Sequence, residues 1–245
     1  MDRIFSFFID NFPSAKTILL GGPAGFLWAL LCLYVAGRFK MKLGMKTGYT
    51  RKIFHFCIFA SVAVIQFVWG TPIVCLFGGM TSLVILLAVI LGDGNILFEA
   101  LAREKDEPHR SYFIVVPYLS TLIGGLATNI FLENFAIFGY LVTGFGDAIG
   151  EPVGTRFGTH TYRVPSLRTV RTTRSLEGSL AVFLVSSVAI LLGMMLTTGM
   201  SFHSIILLKI LLIGLLSAVI EAASPHGWDN MAMQILPALM VKYLL

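Results

Sequence analysis

Charge is scarce in this chain. Only 13% of its 245 residues are Asp, Glu, Lys or Arg, against 56% hydrophobic, a balance that excludes an ordinary water-soluble domain. Cysteine is scarcer still. Cys32, Cys57 and Cys75 all fall inside apolar runs without CxxC spacing, which excludes a disulfide framework and a zinc site. No GxxxxGK[ST] occurs, so there is no P-loop, and no repeat of fixed period or low-complexity tract speaks for an inverted-repeat transporter. Nor is a cleavable signal expected, because Asp2, Asp10 and Pro13 interrupt the opening apolar patch. Residues 1–16 read instead as an interfacial lead-in.

What the chain has in abundance is apolar runs. A span needs ~20 mostly apolar residues, and the polar interruptions divide the sequence into about eight: 17–37, 53–70, 72–91, 112–132, 135–150, 178–199, 202–221 and 229–245. The expectation is an all-α, polytopic transmembrane helical bundle forming one domain over 1–245. Glycine pairs at Gly21–Gly22, Gly78–Gly79 and Gly124–Gly125 are read as close helix approaches, and Pro117 and Pro237 as interruptions of the fourth and eighth spans.

The basic residues alternate between connections. Arg38, Lys40, Lys42, Lys46, Arg51 and Lys52 occupy the first, Arg103, Lys105 and Arg110 the third, and Arg156, Arg163, Arg168, Arg171 and Arg174 the fifth. The second, fourth and sixth hold none. A cytoplasmic excess of Lys and Arg orients membrane proteins, so the odd loops are predicted to be cytoplasmic, and topology rather than nucleic acid accounts for the net charge of +5.

The acids gather on that predicted rim. Asp93, Asp147, Glu151, Glu177, Glu221 and Asp229 all stand where an apolar run ends or begins. A charge inside the hydrocarbon costs about 2.5–3.5 kcal/mol at a helix centre and less at the rim, so such a cluster calls for a compensating cation. Asp147 and Glu151 share a face at i and i+4 if the fifth span stays helical. They could bind metal through oxygen, or be satisfied by Arg156.

Gly154 and Gly158 follow, read as permitting tight turns, and Arg156, Arg168, Arg171 and Arg174 offer phosphate-directed forks or anionic-lipid contacts. The start of a helix near Ser175, after three arginines at spacing three, resembles an anion site at a helix N-terminus. The arginine-rich connection is taken as 155–177. Elsewhere on the rim, Arg51 and His55 share a face before the second span. Glu221, Asp229 and Asn230 flank the Pro225–Gly227 break, available for metal or nucleotide or, in the case of Asp229, for simple capping.

Four motifs together resemble the CTP-dependent polyprenol kinases, the group of phytol kinase and dolichol kinase, with the phosphatidate cytidylyltransferases as more distant kin. They are RKIFH around Arg51, Gly146–Asp147 followed by VGTRFG, RSLEGS at 174–179, and Glu221 with Asp229–Asn230. Arg174 stands where a lysine is frequent in that family, and Glu151 where an aspartate is common.

The resemblance implies a Mg²⁺-dependent kinase carrying phosphoryl from CTP, or from ATP or UTP, to the hydroxyl of a bilayer lipid alcohol. Asp147, Glu151, Glu221 and Asp229 become candidate metal ligands. Arg156, Gly158, Arg171, Arg174, Ser175, Glu177 and Asn230 become candidate nucleotide or phosphate contacts, with Asp147, His55 and Arg51 at the acceptor hydroxyl. Two other readings stay open: an enzyme forming a CDP-linked lipid, and an ion- or proton-coupled transporter. Acceptor lipid, oligomeric state and host membrane, bacterial plasma membrane or eukaryotic endomembrane, are left undetermined.

Overall fold

The computed structural model describes residues 2–165, 172–198, 203–225 and 227–245, the side chains of Asp2 and Thr198 excepted. Arg168 and Arg171, two of the expected phosphate contacts, lie outside the described residues. The chain divides into two compact units, Met1–Val115 and Val116–Leu245.

In the first unit a short helix α1 (Asp2–Asp10) precedes α2 (Ala15–Leu43), α3 (Thr47–Trp69), α4 (Thr71–Leu91) and the single turn α5 (Ile96–Glu99). Ser14 caps α2 by accepting from the Thr17 N–H at 3.2 Å, and Gly44 at φ 63° ends it in the left-handed region that glycine adopts at least cost. α2 packs on α4 where Gly25 brings its backbone against Phe77. It packs on α5 at Gly37, where a Cβ would stand 2.7 Å from Ile96 Cγ1.

Basic residues that topology alone would leave solvated are partly consumed in ion pairs here. Lys40 binds Glu99 at 2.8 Å and Glu104 at 2.7 Å, Arg110 reaches Glu99 at 2.8 Å and also Asp93, and the buried Arg103–Asp106 pair closes at 2.9 Å.

The second unit begins within α6 (Tyr112–Leu132). After a 3₁₀ turn at Glu133–Phe135, α7 (Ala136–Leu141) runs into a π-helical segment at Val142–Asp147 and then α8 (Ala148–Phe157). A two-stranded antiparallel hairpin follows, β1 (Thr161–Val164) and β2 (Thr172–Ser175), pairing Thr161 with Ser175, Tyr162 with Arg174, Arg163 with Thr173 and Val164 with Thr172. α9 (Leu176–Thr198), α10 (Ser204–Ala223) and α11 (Asp229–Leu244) complete it. α9 packs against α8, the π segment and α10, while α11 packs against α7 and α10.

The all-α membrane architecture agrees with the sequence reading, but the number of spans does not. Among the described residues six helical stretches are long and apolar enough to cross a membrane: Ala15–Leu43, Thr47–Trp69, Thr71–Leu91, Tyr112–Phe157, Leu176–Thr197 and Ser204–Ala223. Two differences account for the shortfall from eight. The expected fourth and fifth spans belong to one helical stretch of 46 residues, interrupted by the 3₁₀ turn that begins at Glu133, whose φ is 53°. The expected eighth forms α11, whose 16 residues fall short of a full crossing.

Leucine-rich faces such as Leu180, Leu184, Val188 and Leu192 on α9 stay exposed. That is the surface a bilayer covers, and the protein is an integral membrane protein.

Glycine does what was expected at two of the three pairs. A Cβ on Gly21 would touch Leu76, and one on Gly124 would lie 2.9 Å from Met231 Cα, whereas Gly78 and Gly79 meet nothing within 4 Å. A longer glycine row was read differently in the sequence. Gly146, Gly150, Gly154 and Gly158 recur every four residues and face α9 and its N-terminus. Cβ atoms there would run into Ser186 Oγ, Val182 Cγ2 at 2.8 Å, Ser175 Oγ at 2.9 Å and Ser175 Oγ again at 2.8 Å. Gly154 therefore sits inside a helix that needs close approach, not in a tight turn.

Candidate active site

Each acid of the site is delivered by the end of a different element. Asp147 closes the π segment, Glu221 lies in the last turn of α10, and Asp229 opens α11. All three are buried, and one carboxylate oxygen from each lies within 4.8 Å of the others. The local reasons are separate. The π turn places Asp147, and such turns recur at functional sites because they re-aim a side chain without breaking the helix. Gly146 lets α9 approach beside Asp147 through Ser186.

Asp229 is fixed from both sides. Its Oδ1 accepts the N–H of the next residue, Asn230, at 3.1 Å; the residue before α11 is Trp228, so Asp229 is the first residue of the helix and not the side-chain cap the sequence suggested. Ser120 Oγ accepts the Met231 N–H at 2.9 Å, so α11 is stitched to α6 at its first turn.

Arg174 enters this acid group from β2. Its Nε lies 2.8 Å from Glu221 Oε1 and its Nη2 2.7 Å from Asp229 Oδ2, with Arg174, Glu221 and Asp229 side chains 13%, 8% and 10% exposed. Burial alone would lower the guanidinium's pKa, but Glu221, Asp229 and Asp147 outweigh it and hold it above its ordinary value. The arginine therefore stays charged. Its third nitrogen, Nη1, is buried and has no hydrogen-bond partner among the described residues.

Charge decides what else the site requires. Three carboxylates gather around one guanidinium in a buried place, and buried charge is retained only when paired or coordinated. The donors are hard oxygens, which suit Mg²⁺. The residues present therefore fit a divalent cation.

The other expected site residues fall in several places. Glu151, half-buried on α8, is not a member of the three-oxygen group. Arg156 is exposed, its guanidinium 5.4 Å from the Phe157 ring centroid. Gly158 is accounted for by its approach to Ser175, and Ser175 by accepting the Gly178 N–H at 3.1 Å at the start of α9.

Glu177 ties down the preceding loop rather than joining the acid group. It accepts from Thr159 Oγ1 at 2.5 Å and from the His160 N–H at 3.2 Å, and meets His160 Nδ1 at 2.8 Å. The Asn230 amide donates to Thr121 Oγ1 at 2.7 Å and the Pro117 carbonyl at 3.3 Å. Arg51 and His55 belong to the first unit, on α3, where the His55 ring centroid lies 4.6 Å from that of Phe59 with the planes tilted by 39°. The group of Asp147, Glu221, Asp229 and Arg174 is built wholly from the second.

Over 122 residues the chain is 32% identical to a phytol kinase of Synechocystis sp., covering 50% of this chain and 49% of that protein. Over 222 residues it is 24% identical to a dolichol kinase of Saccharomyces cerevisiae, covering 88% of this chain and 40% of that protein. The chain is similar to phytol and dolichol kinases. No protein-family model matches the chain, and no solved structure matches it. It spans about half the length, or less, of the two relatives.

Proposed function

We propose that the protein is a membrane-embedded lipid-alcohol kinase, transferring the terminal phosphoryl group of a nucleoside triphosphate to the hydroxyl of a polyprenol- or phytol-type alcohol. The observation that carries this reading is the buried group of Asp147, Glu221 and Asp229 with Arg174 between two of its members. Names of relatives favour the same class, one a kinase of phytol and the other of dolichol. CTP is the donor implied by the motif resemblance, and the predicted cytoplasmic face is where it would be met.

Phosphoryl transfer is catalysed by positioning and by neutralising charge. Mg²⁺ held by Asp147, Glu221 and Asp229 would supply neutralisation of the phosphate oxygens. The protein's own groups do the rest. Arg174 restrains Glu221 and Asp229 in one geometry through Nε and Nη2 and leaves Nη1 as a buried, charged donor. Asn230, anchored to α6, holds the first turn of α11 so that Asp229 cannot swing away. Within the second unit, deprotonation of the acceptor hydroxyl falls to Asp147.

Purified protein in detergent, given CTP, ATP or UTP labelled at the terminal phosphate and a panel of lipid alcohols, should form a labelled phosphomonoester only with Mg²⁺. No product from any pairing would sink the kinase reading. Release of pyrophosphate with a CDP-linked lipid would favour a cytidylyltransferase, and ion flux abolished by Asp147→Asn without any nucleotide turnover would favour a transporter.

A further inference from the structure

β2 carries two buried polar groups that no described residue satisfies. Arg174 Nη1 is one, and Thr172 Oγ1 is the other; both atoms are buried and neither has a hydrogen-bond partner among the described residues. Thr172 is 8% exposed. Thr172 and Arg174 are two apart on one strand, so their side chains leave the same face, roughly 6–7 Å apart along it. Across the hairpin that face continues as Val164, opposite Thr172, and Tyr162, opposite Arg174. Val164 offers no polar atom, and the Tyr162 hydroxyl is bound to Ser179 Oγ at 2.6 Å.

A buried hydroxyl without a partner is destabilising, and valine has the same shape without that penalty. Thr172 is thus a threonine where the fold would be better served by valine. Its neighbour on that face is an arginine whose other nitrogens are fixed by Glu221 and Asp229.

We propose that Thr172 is a phosphate-binding residue, its hydroxyl and Arg174 Nη1 forming a donor pair on β2 for a polyphosphate chain. The inference rests on the kinase reading and adds to it a residue outside the motifs that suggested it. Thr172 donates its hydroxyl proton to one phosphate oxygen while Arg174 Nη1 donates to another. Each donor then has the acceptor that the described residues do not supply. The hairpin, rather than a glycine-rich loop, is the phosphate-binding element.

The test uses full-length protein in detergent as wild type, Thr172→Val and Thr172→Ser. Binding is measured by equilibrium dialysis with labelled CTP and ATP plus Mg²⁺, and separately with inorganic tripolyphosphate, which carries no base. Thr172→Val should weaken tripolyphosphate and nucleotide binding about 10- to 100-fold, the range of one hydrogen bond to a charged group. KM for nucleotide should rise while KM for the lipid alcohol does not, Thr172→Ser should bind nearly as wild type, and unliganded Thr172→Val should melt no lower than wild type.

Wild-type binding by Thr172→Val overturns the inference, as does a lowered melting temperature with loss of binding that serine fails to rescue. Tripolyphosphate bound by wild type and lost in Thr172→Val, with no nucleotide bound by either, removes the kinase reading and leaves the donor pair standing. If wild type binds no polyphosphate at all, both fall.

Discussion

Replacing Arg174 by methionine removes the cation that holds the acid group together while keeping much of its apolar bulk. In the wild type the guanidinium meets Glu221 at 2.8 Å and Asp229 at 2.7 Å, all three side chains being at most 13% exposed. Its loss leaves three carboxylates, with oxygens within 4.8 Å of one another, without their bridge. Removing one partner of a buried ion pair costs about 3–5 kcal/mol. In a protein of this size each kcal/mol moves the melting temperature by roughly 2–4 °C, so Arg174→Met should melt roughly 6–20 °C lower in metal-free buffer.

The second half of this prediction separates a metal site from a mere ion-pair cluster. Mg²⁺ should raise the melting temperature of Arg174→Met by more than it raises that of wild type, because the variant's acid group has one more negative charge to neutralise. Arg174→Lys keeps the charge but loses the fork that engages both acids, and should fall between the two. The assay is thermal unfolding in one detergent at one scan rate, since membrane proteins commonly unfold irreversibly. An unchanged melting temperature, or equal Mg²⁺ increments in variant and wild type, refutes the reasoning.

Asp147→Asn, Glu221→Gln and Asp229→Asn should each shift the Mg²⁺ dependence of phosphotransfer upward by at least ~10- to 100-fold, read from initial rates across a Mg²⁺ titration. In the first unit, burial pushes the Glu99 carboxyl up, but hydrogen bonds from Arg110, Lys40 and the Gly94 N–H outweigh it and bring it down to about 2 from 4.5. A depressed folded-state value means stability present above pH 4.5 and lost as pH falls towards 2. Hydrogen exchange around α5 should accelerate over that window in wild type, and Glu99→Gln should flatten the dependence. Gly139→Ala drives a Cβ into the Gln234 carbonyl, 3.0 Å from its carbon, and should cost about 1–3 kcal/mol in the melting temperature by overpacking. Gly78→Ala, where a Cβ meets nothing within 4 Å, should be neutral or stabilising by up to about 1 kcal/mol.

Asp147, Glu221 and Asp229 are legible in the sequence because carboxylates at the ends of apolar runs are conspicuous, and desolvation gives them a reason to gather. Their partner is not legible. Arg174 reads as one of several phosphate-directed arginines, and nothing in its spacing indicates that it turns back onto Glu221 and Asp229.

Glu177 misleads for the opposite reason: it sits in a motif, yet its oxygens hold Thr159 and His160. The hairpin is missed because its alternation is short. Thr161–Val164 and Thr172–Ser175 have strand-forming threonine, tyrosine and valine, but the arginines dominate the reading of that loop. The count of eight spans fails where apolar length is a poor guide, since α11 is apolar yet 16 residues long. The four-residue glycine row is legible by its period, which places Gly146, Gly150 and Gly154 on one helix face.

The π segment at Val142–Asp147 acts as a phase shifter on the helix that carries it. An α-helix advances about 100° per residue, and a π turn absorbs one residue more than an α turn. Asp147 and the glycine row from Gly146 to Gly158 therefore keep their angular register relative to α7 only while that extra residue is present. Deleting a single residue such as Phe145 would let the turn relax to α geometry. Asp147 and the glycine row both follow Phe145, so they would rotate together by about 100° relative to α7, turning Asp147 away from Glu221 and Asp229 and the glycines away from α9. One helix thus encodes two alignments, chemical on one side and steric on the other, and the added residue is what allows both to be satisfied at once.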